Sequence, residues 1–273
     1  MKKTSIIILL ALALMTIAAG CKKLPDFTGN SGDGSNFTSS GFSINETQKV
    51  QFATGNLEYQ ASTRSYRFAE NQFEILGPAN MMISPSNEGW IDLFGWGTGK
   101  EPTNSSQNND DYNHYIDWGD NDITNGNDKE WRTLSFEEWF YLLNRRNTNS
   151  GIRYAKADVN FVYGVILLPD NWSESFYALK NTNEPDVNFN GNHISETVWN
   201  ETFATHGAIF LPLTGCRLGT EYNYEQGGGY WSSTSSDDST ALGFFFNDAS
   251  LSIGEDAAAE RHVGYAVRLV YNM

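Results

Sequence analysis

Cysteine is nearly absent from this chain of 273 residues, with Cys21 and Cys216 its two examples. Two thiols make neither the disulfide framework of a small secreted module nor a zinc site built from several thiolates. Basic residues are scarce as well: 18 Lys and Arg face 33 Asp and Glu, for a formal charge of -15. That balance excludes general nucleic-acid binding, which needs a basic surface to displace the counterions around phosphates, and it opposes docking onto anionic lipid by charge. Four histidines, His114, His193, His206 and His262, show neither HxH nor HExxH spacing, and no GxSxG elbow, Walker loop or dinucleotide fingerprint is present. What the chain does have is aromatic mass, 8 Trp, 13 Tyr and 17 Phe within 40% hydrophobic residues. A core of that size needs no covalent staples, and the composition is not that of a disordered chain.

The first 41 residues stand apart. Lys2 and Lys3 precede an apolar run from Ile6 to Ile17, short for a permanent bilayer span, and Ala18-Ala19-Gly20-Cys21 ends it with small residues and a thiol. This resembles a bacterial lipoprotein signal, cleaved before Cys21 once its thiol carries diacylglycerol, although Ala18 stands where the lipobox usually has Leu. On that reading residues 1–20 are removed, Cys21 is the lipid attachment point and Cys216 is the one free thiol left. The exported part then carries 16 basic against 33 acidic residues. From Lys22 to Gly41 the chain is rich in Gly, Ser, Asn and Asp with no apolar periodicity, the composition of a flexible tether over 21–41. Residues 42–273 show no second linker and are expected to form one domain.

Strand and turn signals dominate that domain. Lys49–Tyr59, broken at Gly55-Asn56, and Tyr66–Ile75 carry aromatic and β-branched residues at short intervals. Ser135 followed by FEEWFYLLNRR, with Glu138 three positions on, is a capping-box pattern that opens a helix with Phe136, Trp139, Phe140 and Leu143 on one side. A second helix is expected after Ser195, carrying Val198, Trp199 and Phe203 and ending near His206-Gly207. Val165–Leu168 and Ala208–Leu211 read as buried strands, and Tyr230–Thr234, Ala241–Phe246 and Tyr265–Val270 make the C-terminal third β-rich. The fold class expected is α+β.

The series Gly89-Trp90-Ile91-Asp92-Leu93-Phe94-Gly95-Trp96-Gly97, Trp131-Arg132-Thr133-Leu134, Ile166–Asp170, Phe210-Leu211-Pro212, Tyr230–Thr234 and Gly264–Val270 carries a resemblance. In this order it resembles bacterial lipoproteins of the major paralogous domain type. These are similar in turn to the C-type-lectin-like fold shared by formylglycine-generating enzymes and by the variable proteins of diversity-generating retroelements. The resemblance implies antiparallel sheets, paired chain ends, two flanking helices and a long irregular segment presenting a ligand surface. It implies ligand contacts at Leu242, Gly243, Phe245, Asn247, Asp248, Ser250, His262 and Val263, set among retained Ala241, Phe244, Phe246 and Arg261. The interval between the two closing motifs contains no Lys, Gln, Met or Trp, residues that adenine-directed mutagenesis of Asn codons cannot generate. Glu255 and Glu260 lie outside that repertoire too and would have to be template-encoded; an ordinary non-diversified paralogue is the plainer expectation. Alternation puts Leu242, Phe244 and Phe246 on one face of a strand and Gly243 and Phe245 on the other, without saying which is exposed.

Enzymatic readings are weaker. The formylglycine-generating relatives use cysteine chemistry, and here Cys216 stands alone; Arg217 beside it would lower a thiol pKa, but a lone Cys after an apolar strand reads as a small buried hydrophobe. Glu137 and Glu138 diverge on a helix and suit its positive end. No cofactor is expected. Calcium is the one metal to weigh, because Asn108–Asp111 and Asp117–Asp122 gather oxygen donors, yet the EF-hand spacing fails: with Asp120 first, Gly126 comes one position late. Asp and Asn also fill turns for local backbone reasons. The expectation is therefore a monomeric, non-catalytic lipoprotein of the bacterial outer membrane, periplasmic or surface-facing, that binds a protein or glycan through its C-terminal surface. A structural or assembly subunit of the envelope is the alternative, and an enzyme of the sulfatase-modifying lineage a more distant one.

Overall fold

The computed structural model describes residues 41–254 and 256–273. The signal, Cys21, the tether up to residue 40 and Glu255 lie outside the described residues. Among those described, no helix is long and apolar enough to cross a membrane.

The architecture is α+β, mostly antiparallel. Strands β1 (Phe42–Ser43) and β2 (Lys49–Phe52) pair first; β3 (Leu57–Gln60), β4 (Ser65–Phe68) and β5 (Trp90–Ile91) follow in the order β4-β3-β5. Next, β6 (Tyr154–Val159), β7 (Val162–Leu167), β8 (His193–Ile194) and β9 (Ile209–Pro212) form a sheet ordered β8-β6-β7-β9, with only β8 running parallel to its neighbour. Strand β10 (Cys216–Leu218) pairs with β11 (Glu221–Asn223). The long pair β12 (Gly228–Ser235) and β13 (Thr240–Phe246) is extended by β14 (Leu251–Ser252) and β15 (Ala258–Glu260), both on the free side of β13. Finally β16 (Val263–Gly264) returns to β10, and β17 (Val270–Asn272) pairs with β2, setting Val270 opposite Phe52 and Asn272 opposite Val50.

Helix α1 (Phe136–Phe140) starts where its cap predicts. Ser135 Oγ accepts from Glu138 N–H and Glu138 Oε2 accepts from Ser135 N–H, so two otherwise orphaned donors are satisfied reciprocally. It continues as a wider π turn over Tyr141–Arg145. Helix α2 (Glu196–Val198), capped by Ser195, widens in the same way over Trp199–Ala204. Two sheets act as partitions between three apolar layers. Tyr230, Phe244 and Phe246 of the β12–β13 pair face a central core with Trp139, Leu142 and Leu143 of the first helix, while Trp231, Ala241 and Phe245 face a second core built on β3 and β4. Across the central core, Tyr154, Val165 and Leu211 line the near face of the β6–β9 sheet; Ala157, Val159 and Phe210 line its far face, against Trp199 and Phe203. Asp170 secures the entry of the chain, accepting from Ser43 N–H, Ser43 Oγ–H, Arg146 Nη1–H and Lys49 Nζ–H.

Three expectations change. The strand expected over Tyr66–Ile75 stops at Phe68: the Asn125 side chain holds the outward N–H and C=O of Phe68, and the last bond toward β3 is Ala69 N–H to the Asn56 carbonyl. The next residue packs against Gly55, where a Cβ would lie 2.2 Å from the Ala69 carbonyl oxygen, which explains the Gly55-Asn56 break. The continuous strand expected over Tyr265–Val270 is instead a series of single bridges: Tyr265 to Phe94 and Ala266 to Tyr230, while the Val267 and Leu269 carbonyls accept from Leu57 and Ala53. The Arg217 guanidinium points away from Cys216, as neighbours on a strand must, and donates to the carbonyls of Leu93, Gly219 and Asn104. Burial therefore pushes the Cys216 thiol up, with no cation to oppose it.

Candidate functional site

The eight residues singled out in the sequence do not share one surface. Both faces of β13 are covered, so its alternation separates two cores rather than core from solvent. Leu242 is half-buried against the central core. Gly243 is buried; a Cβ there would lie 2.6 Å from the Phe245 ring and 2.8 Å from the Tyr230 carbonyl oxygen, so the position accepts no larger residue without displacement. Phe245 is half-buried, wedged edge-on to Trp231 at 6.0 Å and beside Tyr265 at 4.9 Å between ring centroids. These three are scaffold.

The remaining five divide between the two ends of the strand, about 20 Å apart at the usual rise of ~3.3 Å per residue. At one end Asn247, Asp248 and Ser250 form the turn into β14. Asn247 Oδ1 accepts from Ala249 N–H and Ser250 N–H, both at 2.9 Å, so this side chain is consumed by the turn it builds. The Ser250 side chain is tied to the same oxygen. Asp248 is exposed, one carboxylate oxygen accepting from Phe189 N–H at 3.4 Å. Beneath the turn, buried Lys156 donates to the carbonyls of Asp248 and Ser250, its ammonium 4.8 Å from the Phe189 ring centroid; burial pulls it down to about 8.

At the other end His262 and Val263 are buried. Val263 pairs with Leu218, and His262 holds Asn109 through its backbone N–H at 3.2 Å and through Nδ1 at 2.9 Å. Their effect is to pin a loop, residues 97–116, which the sequence marks only by its Asn and Asp content. Arg217 Nη2–H donates to the Asn104 carbonyl from one side; from the other, Arg261 donates to Asn113 Oδ1 and lies 4.6 Å from the centre of the Trp96 ring.

Two adjoining hollows open on this loop, of about 590 and about 310 Å³, sharing Lys100, Glu101, Asn104 and Asp111. Glu101, Asp110 and Asp111 are exposed, Asp111 accepting from Ser106 Oγ–H. The Lys100 ammonium is turned toward the Asp120 carbonyl and Asn121 Oδ1, so the cleft presents three carboxylates with its one lysine engaged elsewhere. Burial sharpens the imbalance over the described surface: Arg146, Lys156, Arg217, Arg261 and Arg268 are withdrawn from it, against Glu58, Asp92 and Asp170 among the acids.

Several oxygen donors of the segments considered for calcium are engaged in local bonds. Asp117 caps Gly119 N–H and accepts from Thr133 N–H and Oγ1–H; Asn121 donates to the carbonyls of Gly99 and Trp118. Among the described residues no group of three or more His, Cys, Asp or Glu is placed to hold a metal ion. Comparison with protein-family models, with curated proteins and with solved structures finds no match.

Proposed function

We propose that the chain is an exported, lipid-anchored, non-catalytic binding protein of the C-type-lectin-like type, which takes a protein or glycan ligand in the cleft over residues 97–116. The observation that carries this reading is the way the cleft is held. Arg217 fixes the loop at Asn104, Arg261 at Asn113 and His262 at Asn109, so polar side chains are displayed on backbone that is already ordered. Loops fixed on a rigid scaffold are where recognition concentrates, and pre-ordering reduces the entropy lost on binding. The lining is polar and acidic, which suits hydroxyl-rich or cationic groups and not an apolar small molecule. Pairing of the second strand with the last, β2 with β17, which brings the two ends of the domain into one sheet, and the two flanking helices support the fold assignment. Two residues expected to touch ligand, His262 and Val263, act in this reading by backing the cleft.

A glycan array and a panel of lysine-rich peptides, screened with the wild-type protein and with Glu101→Gln/Asp110→Asn, test the site. Loss of binding in the double variant at an unchanged Tm supports it, and equal binding by both proteins sinks it. Labelling with radioactive palmitate tests the anchor: label should enter the wild-type protein and not Cys21→Ser.

A further inference from the structure

The corner between β6 and β7 is built from residues that cost stability. Val159 pairs with Val162, leaving a two-residue turn in which Asn160 and Phe161 both have positive φ, 51° and 65°. Turns of this kind need the left-handed region at both positions; Asn adopts it readily, and the second place ordinarily belongs to Gly. Phe161 bears the steric penalty and is also 93% exposed, with no aromatic partner among the described residues. A side chain that bears a steric penalty and recovers nothing by burial points to a use outside the fold. Next to it lies a mainly apolar hollow of about 380 Å³, lined by Asp158, Asn160, Phe161, His193, Ile194 and Ser195. Asp158 Oδ2 faces His193 Nδ1 at 3.2 Å, Glu196 follows exposed at the start of α2, and no Lys or Arg lines the hollow.

We propose that this hairpin tip is a docking point for a partner protein that presents a lysine or arginine beside an apolar pocket. Phe161 enters the partner's pocket, an apolar side chain of the partner fills the hollow, and the partner's cation meets Asp158 and Glu196 on an acidic surface. Charge complementarity selects this occupant over two others. A second copy would bring Asp158 and Glu196 against their own equivalents, between domains that are each strongly negative. A membrane would gain a single apolar ring against repulsion of its anionic headgroups by the acidic surface.

The test is selection of a random dodecapeptide phage library on the full-length protein in detergent, with Phe161→Gly as the counter-selecting surface. Enriched peptides should carry Lys or Arg within two positions of an apolar residue, bind the wild type at least tenfold more tightly than Phe161→Gly, and weaken between 50 and 500 mM salt. Phe161→Gly should melt at or above the wild-type temperature, so lost binding is not lost folding. Equal binding to both proteins, or enrichment of peptides without basic residues, overturns the proposal. So does a dimer in sedimentation, or flotation with phosphatidylcholine/phosphatidylglycerol vesicles, that Phe161→Gly abolishes. The Glu101→Gln/Asp110→Asn variant should bind the same peptides as the wild type, which keeps this site separate from the cleft.

Discussion

Lys156 Nζ lies 3.2 Å from the Asp248 carbonyl oxygen and 3.4 Å from that of Ser250, a link between sequence positions 92 and 94 apart. One buried ammonium thus fixes the turn that carries three of the residues expected to meet ligand. Lys156→Met keeps the apolar stem and removes the donor. Backbone amides of residues 247–252 should then exchange hydrogen at least tenfold faster by mass spectrometry, with β6 and β7 unchanged.

Asp92 is buried with the Asn80 amide as its partner, and desolvation pushes its carboxyl up to about 7. A carboxyl raised in this way holds its proton in the folded state while the unfolded chain releases it. Its contribution to stability is complete below the ordinary carboxylate range near pH 4 and is lost as pH rises through about 7. The cost of ionising it reaches the order of 4 kcal/mol at 1.36 kcal/mol per pH unit. Asp92→Asn should therefore melt close to the wild type at pH 4 and increasingly above it toward pH 8. A constant difference across that range, measured by calorimetry, would refute the assignment.

Arg268 is buried without a carboxylate, donating instead to Asn56 Oδ1 and to the carbonyls of Ala53 and Phe210. It joins the β3 region to β9 near the end of the chain. Burial lowers its guanidinium to about 10, so it stays cationic at neutral pH. Arg268→Ala strands the Ala53 and Phe210 carbonyls, leaves Asn56 Oδ1 to the Tyr230 hydroxyl and should cost about 3 kcal/mol or more, a fall in Tm of roughly 6–12 °C. Arg268→Lys should restore little, because one ammonium does not span the fork.

Gly243 and Asp248 were equivalent candidates in the sequence, and the structure separates them. Gly243→Ser forces a shift of the Phe245 ring or the Tyr230 backbone and should cost about 1–3 kcal/mol by overpacking. Asp248→Asn, on an exposed turn, should stay within about 0.5 kcal/mol of the wild type. Urea titrations of the two variants check both values, and a silent Gly243→Ser would restore it as a changeable position.

The amino-acid sequence alone determined the features whose causes are local. The Ser135–Glu138 cap, the Ser195 start of α2 and the strands around Val165 and Phe210 follow from residues within a few positions of one another, and the structure has them where they were expected. Strand limits set by distant partners were not legible: the outer edge of β4 is held by Asn125, and the segment after Gly264 follows backbone partners from β12, Phe94, Ala53 and Leu57. The same distinction decides the site. Alternation identified the two faces of β13, but only packing shows that both are buried, because each faces a core assembled from segments far away in the chain. The exposure of Phe161, the loop pinned by Arg217, Arg261 and His262, and the clamp of Lys156 on its turn are likewise tertiary facts, since each depends on contacts, or their absence, that no short stretch of sequence contains.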